Sequence, residues 1–357
     1  MRILSRILKP VITVAGALLI GAAFIRLMGI DPWAAYRSLF QGALGNAHGI
    51  SETLLKATPV IFTGLSVAIA FRSGLFNIGA EGQLYLGGLG SILVAAYVKG
   101  LPLFIHLPLA IVAGFLAGGL WGLLAGWLKV KFGANEIITT VMLNYVAINA
   151  IGFLVNGPLQ EPMGMFPESA PAALTAQLPR LVAATRLHAG FLLALLAIVL
   201  YYLYLWRTPG GFELRVIGLN QEAARYAGMN PERGVYRAMF LAGGLAGLAG
   251  AGEVLGVHFK LMGGFSPGYG FDGLAVALLG NSAPVGIFLA ALLFALLRTG
   301  GNMMQMFSGV PAALIYVIQG VVIFLAVAQN GPALKRLAPP APRTPAAGPG
   351  EAREVAP

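Results

Sequence analysis

The sequence predicts an all-α membrane protein, a polytopic bundle of about ten transmembrane or partly spanning helices. Three observations predict it. Of the 357 residues, 58% are hydrophobic and only 10% charged. An ordinary soluble chain carries about 25% charged residues, so lipid is the remaining sink for this much apolar surface. Apolar stretches of about 20 residues, long enough to span a bilayer as a helix, recur from end to end. The 49 glycines would weaken soluble helices, but they suit membrane helices that pack backbone to backbone.

In order, the apolar stretches lie near 9–28, 54–71, 83–98, 104–127, 137–156, 189–206, 238–258, 272–281, 283–298 and 310–328. The first follows a basic start, as in a cleaved signal peptide. No small-x-small cleavage site follows it, and it is read as a retained span. The eighth is too short to cross alone and reads as a half-helix or a re-entrant segment. Asn281, Ser282 and Pro284 break the pattern behind it. Residues 1–337 form the transmembrane domain, and 338–357, rich in Pro and Ala, read as a disordered tail.

The net charge of +10 fits basic residues held in cytoplasmic loops by the positive-inside rule. No basic run is long enough, or interleaved with aromatics, to form a nucleic-acid surface. Arg2, Arg6 and Lys9 place the N-terminus inside. Arg72, Lys129 and Lys131 mark inner ends, and Lys335 and Arg336 place the C-terminus inside too. Segment 207–237, with five arginines, is the clearest cytoplasmic loop, and 157–188 is an outer one. The absence of cysteine excludes disulfides, thiolate metal sites and a cysteine nucleophile.

Gly114, Gly118, Gly122 and Gly126 recur every four residues and share one helix face. Gly243, Gly247 and Ala251 do the same. Such stripes let a second helix approach closely, either inside one subunit, the favoured reading, or at a seam between two.

A charge in hydrocarbon is costly, so an intramembrane carboxylate is a functional candidate. Four qualify: Glu81, Glu136, Glu253 and Asp272. Glu81 lies in 74–83, GLFNIGAEGQ, an interrupted helix with Phe76, Asn77 and Gln83. Broken helices free backbone groups that transporters use to hold polar solutes. The alternative is a turn whose polar groups satisfy one another. A second irregular stretch, 263–273, holds Phe265 and Asp272, and it hints at an internal repeat. At 135–145, Glu136, Thr140 and Asn144 share a helix face; Glu136 suits a structural role and Asn144 a pathway role. The substrate-pathway candidates are thus Phe76, Asn77, Glu81, Gln83, Asn144, Phe265 and Asp272.

Enzyme motifs fail, and no catalytic or metal residue is assigned. Gly264-Phe265-Ser266-Pro267-Gly268 matches a nucleophile elbow, but the oxyanion hole needs the N–H that Pro267 lacks. The G-x-G-x-x-G at 268–273 follows no strand. The four histidines lie far apart, without metal-ligand spacing. No P-loop exists, so an ATP-driven role needs a separate ATPase.

Within 207–237, residues 221–228 read as a short helix with Asn220 as N-cap and Gly228 as C-terminal glycine. Such a helix docks on a partner or lies on the lipid surface. Here Glu222-Ala223-Ala224 followed by Gly228 resembles the coupling motif of ATP-binding-cassette (ABC) importer permeases. With GLFNIGAEGQ (74–83) and ANEIITTVMLNYVA (134–147), the chain over roughly 50–330 resembles nucleoside and simple-sugar permeases, kin of ribose and branched-chain amino acid permeases.

The resemblance implies a bacterial cytoplasmic-membrane protein with both termini inside, embedded in lipid. It implies an ABC ATPase that uses ATP and Mg, a second homologous permease and an extracytoplasmic solute-binding protein. This chain itself would bind no cofactor. The resemblance assigns coupling to Glu222, Ala223, Ala224, Arg225 and Gly228. Nucleosides are the favoured solute. A simple sugar or other small solute is the alternative, and an ATP-independent transporter or channel is the rival from another class.

Overall fold

The structure, a computed structural model, describes residues 2–161, 164–311 and 313–330. The tail expected at 338–357 lies outside them. Thirteen α-helices and no extended strand pairing beyond isolated bridges occur among the described residues. Ten helices correspond to the ten apolar stretches: α1 (Arg2–Leu27), α3 (Ala47–Arg72), α4 (Ala80–Tyr97), α5 (Leu103–Phe132), α6 (Glu136–Val155), α7 (Gly190–Arg207), α10 (Pro231–Glu253), α11 (Tyr269–Leu279), α12 (Pro284–Ser308) and α13 (Ala313–Asn330). Of these, α3, α5, α6, α7, α10 with the π-turn Val254–His258, and α12 are long and apolar enough to cross a membrane by themselves. This is a multi-pass membrane protein.

Three further helices complete the chain. α2 (Pro32–Leu44) was not predicted. Asp31 caps it, accepting from the N–H groups of Trp33 and Ala34, and Pro32 sits in its first turn. It buries Ala35, Leu39, Gly42 and Ala43 and exposes Trp33 and Phe40. α8 (Pro209–Leu219) and α9 (Gln221–Tyr226) occupy the segment expected to be a loop, and α10 begins within it too. The 207–237 connection is therefore a helical arm. One short helix within it was expected.

The core is centred on α3, α4, α5 and α10, and glycine lets their backbones meet. A Cβ on Gly118 would stand 2.5 Å from the carbonyl oxygen of Gly243 and 2.7 Å from the Cα of Gly247, closer than real Cβ contacts come. A Cβ on Gly122 would strike the Met239 carbonyl, and one on Gly87 of α4 would strike Gly247. The two glycine stripes thus face each other inside one subunit.

Two helices start in the interior. Thr63, nine residues before the end of α3, donates to the Tyr269 carbonyl (2.9 Å). Arg72, the last residue of α3, donates to the carbonyls of Asn281 and Ser282. α11 therefore runs beside the final third of α3 and ends level with it. The residues before α11 start at the opposite end of the bundle, where Phe259 and Leu261 bond Ala172 and Ser169 of the 157–188 loop. The eighth apolar stretch is therefore a half-helix, joined to the opposite end of the bundle by the irregular residues 259–268. A left-handed pair, Asn281 and Ser282 (φ 51° and 49°), turns the chain into α12. α12 extends ten residues beyond the predicted 283–298 span, because Gly300 packs on Leu39 and Gly301 on Ile315.

Candidate functional site: two broken helices and a presented short helix

The break at 73–79 needs partners for its backbone groups, since lipid offers none. α6 supplies them. Asn144 accepts from the Gly82 N–H (2.8 Å) and donates to the Ile78 carbonyl (2.9 Å). Thr140 accepts from the Ile78 N–H (3.3 Å). Asn77 and Gln83 exchange two amide hydrogen bonds (2.9 and 3.0 Å), and Asn77 also accepts from the Gly79 N–H. Asn77, Gln83 and Asn144 are all buried, with side-chain amides that serve one another and the backbone. Phe76 is half exposed and edge-on to Phe71. Glu136 pairs with Lys129 at 2.7 Å, the structural role its position suggested.

The second break meets the first. Glu81, in the opening turn of α4, accepts the Gly270 N–H of α11 at 2.6 Å. Phe265 packs on Tyr85 with ring centroids 4.6 Å apart. Ser266, the serine of the failed elbow motif, accepts from the N–H groups of Gly268 and Tyr269 and so caps α11 with its hydroxyl. Asp272 pairs with Arg298 of α12 at 2.7 Å, and Glu253 faces His258 at 3.5 Å. Two helix N-termini, each with a carboxylate in its first turn, therefore adjoin within the bundle. Arg298, the counter-charge of Asp272, was missed by sequence reasoning because it closes the predicted span.

α9 stands at the far end. Asn220 accepts from the N–H groups of Glu222 (2.9 Å) and Ala223 (3.0 Å), and Gly228 is left-handed (φ 78°). The N-cap and the C-terminal glycine are both where the spacing put them. Glu222, Ala223, Arg225 and Gly228 are exposed, whereas Ala224 is fully buried and seats the helix. Two apolar side chains not singled out, Leu219 and Tyr226, are 87% and 95% exposed. Arg225 and Gly228 also line a shallow cleft of about 380 Å³ that runs to Glu232. Behind α9, Gly218 of α8 packs on the backbone of Arg72, Ser73 and Gly74, where the first break begins.

At the opposite end the 157–188 loop is fastened. Lys260 bridges Glu161 and Glu168, each at 2.8 Å, and Arg186 forks onto Glu52 of α3 (2.9 and 2.6 Å). These two acids hold the Lys260 ammonium above the usual lysine range.

Two interrupted helices, joined where Glu81 of α4 caps the start of α11, with an exposed short helix at the far end, are the architecture of a solute-translocating membrane protein. Over residues 49–327 the chain matches the family described as the branched-chain amino acid transport system permease component. It belongs to that family and is an ABC transporter permease. It is 40% identical over 324 residues to a guanosine ABC transporter permease of Bacillus subtilis (90% of this chain, 92% of the relative). A glucose ABC transporter permease of Haloferax volcanii is also 40% identical, over 329 residues (89% and 86%). A nucleoside ABC transporter permease of Lactococcus lactis is 35% identical over 328 residues (89% and 90%).

Proposed function

We propose that this permease imports nucleosides, driven by ATP hydrolysis in a separate ATPase chain that uses ATP and Mg. This chain binds no cofactor itself. The observation that carries the ATP-driven part is α9, a capped six-residue helix that buries only Ala224 and exposes Tyr226, with Leu219 at the end of α8 exposed just before it. Apolar side chains held out on a rigid tip are anchors for a docking partner. Glu222, Ala223, Arg225 and Gly228 face that ATPase, and Ala224 fixes the tip to the bundle. The end bearing α9 also gathers Arg72, Arg207, Arg215, Arg225 and Arg237, which the positive-inside rule assigns to the cytoplasm of a bacterial inner membrane. Both termini lie on that side.

The solute passes the seam where the breaks meet, along Glu81, Phe265 and Asp272, with Phe76 toward the cytoplasmic end. Asn77, Gln83 and Asn144 hold its wall. A second, homologous permease closes the pathway, and an extracytoplasmic binding protein delivers solute at the end closed by the 157–188 loop. Two of the three relatives described act on guanosine or nucleosides, which favours that class. The glucose relative, equally identical, keeps a simple sugar as the second reading. The test is purification of the chain with its co-isolating subunits, followed by reconstitution and assay of guanosine and glucose uptake with and without ATP. ATP-dependent guanosine uptake is expected. Glucose uptake alone would sink the nucleoside reading, and uptake without ATP by the chain alone would sink the partner ATPase.

A further inference from the structure

Arg298 lies deep in the bundle, fourteen residues from the start of α12 and ten from its end, about 21 and 15 Å along the axis. Its side chain is 11% exposed. One guanidinium nitrogen, Nη2, lies 2.7 Å from Asp272 Oδ2 and 3.5 Å from the Pro267 carbonyl oxygen. The ring of Tyr269 lies 4.9 Å from the guanidinium carbon and that of Tyr316 5.9 Å. Nη1 is buried with no hydrogen-bond partner among the described residues. An arginine serving only to neutralise Asp272 would present both edges as a fork. A buried charged donor left idle is costly, so this arrangement is incomplete as it stands. Tyr316 covers the guanidinium yet is 55% exposed, and Phe271, beside Asp272, is 49% exposed. A charged pair flanked by exposed aromatics at this depth fits a solute pathway and not lipid.

We propose that Arg298 contacts the solute, through Nη1 to an oxygen of an uncharged ring compound that takes the place of Tyr316 over the guanidinium. Asp272 cancels the charge, so the site asks for a neutral solute. A flat or ring-shaped face suits the aromatic neighbours. The inference rests on the import reading but not on the choice between nucleoside and sugar, since both carry such oxygens.

The experiment uses the reconstituted complex with its ATPase and binding protein. Wild type is assayed with guanosine and with glucose, and variants are judged on whichever it moves, so the nucleoside reading can fail without deciding this one. Arg298→Lys keeps a cation opposite Asp272 but lacks the second donor edge, and solute moved per ATP hydrolysed should fall about tenfold. The exchange Arg298→Asp with Asp272→Arg restores the ion pair but not the donor, and should not restore transport. Tyr316→Ala, a half-exposed position that leaves the pair in place, should change the transported solute's apparent KM at least about threefold. It decides the matter if the other two fail to assemble. Unchanged transport per ATP in Arg298→Lys, rescue by the exchange, or an unchanged KM in Tyr316→Ala would each overturn the proposal.

Discussion

Glu81 Oε2 accepts the backbone N–H of Gly270 at 2.6 Å, although 189 residues separate them. The first turn of one broken helix thereby caps the start of the other, and the two breaks are tied together. Glu81→Ala orphans a buried N–H, which costs about 1–3 kcal/mol and unties α4 from α11. Initial uptake by reconstituted transporter should fall at least about tenfold. Glu81→Gln keeps an acceptor oxygen and should lose less. Equal loss in both would mean that the charge matters and the cap does not.

Asn144 serves the break from α6 with both ends of its amide. Leucine of similar size leaves the Gly82 N–H and the Ile78 carbonyl without those partners. At about 1–3 kcal/mol each, Asn144→Leu should lower the thermal midpoint in detergent as well as uptake. An undisturbed midpoint with reduced uptake would return Asn144 to the pathway role its sequence position suggested.

Most of the bundle is legible in the sequence because span length is set by the bilayer and not by tertiary detail. The helices that escaped it, α2 and α8, are short, with apolar residues mixed among glycines and polar or charged residues. α8, for instance, buries Leu214 and Ile217 beside exposed Phe212, and hydropathy averages such a pattern away. The end of α12 escaped for another reason. Thr299, Gly300, Gly301 and Asn302 look like the start of a loop, and only their neighbours Leu39 and Ile315 make them helix. At the site, glycine clusters announced both breaks. That Glu81 reaches Gly270, and that Arg298 answers Asp272, depends on contacts distant in sequence, which periodicity does not encode.

The glycine seam gives a steric prediction. Gly118→Val sets a side chain where a Cβ already lies 2.5 Å from the Gly243 carbonyl oxygen. Backbone cannot give way as a flexible side chain does, so α5 and α10 must part. Overpacking costs typically 1–3 kcal/mol, occasionally more, and the variant should aggregate or elute broadly on size exclusion in detergent. Gly152→Ala, whose Cβ meets nothing within 4 Å, is the control and should elute like wild type.

Lys260 fastens the 157–188 loop to the end of α10 through Glu161 and Glu168. Its proton affinity is raised in the folded protein. The clamp is therefore complete below the ordinary lysine range and is lost as pH rises through the raised value. Tryptic cleavage at exposed Arg180, corrected for the enzyme's own pH profile, should stay flat from about pH 7 to 9. Lys260→Gln should speed it, and salt should speed it in wild type by screening the pairs. Cleavage indifferent to both would mean that the Arg186–Glu52 fork alone holds the loop.

Gly228 ends α9 in the left-handed region, at φ 78°, which costs an L-residue about 1–2 kcal/mol. No atom crowds its Cβ position, so Gly228→Val strains the backbone without a clash and leaves the bundle intact. The strain falls on the turn that holds the exposed tip, three residues from Arg225, whose carbonyl accepts the Gly228 N–H. The variant should insert and keep its thermal midpoint within about 2 °C, since the exposed turn at Gly228 lies outside the core and local openings need not lower global stability. It should still lose most ATP-coupled uptake. Leu219 and Tyr226 give the complementary case: Tyr226→Ala leaves the backbone alone and removes an anchor. Reduced co-purification of the ATPase with Tyr226→Ala, but retained co-purification with poor uptake in Gly228→Val, would separate docking from transmission. Normal uptake in both would remove α9 from the coupling path.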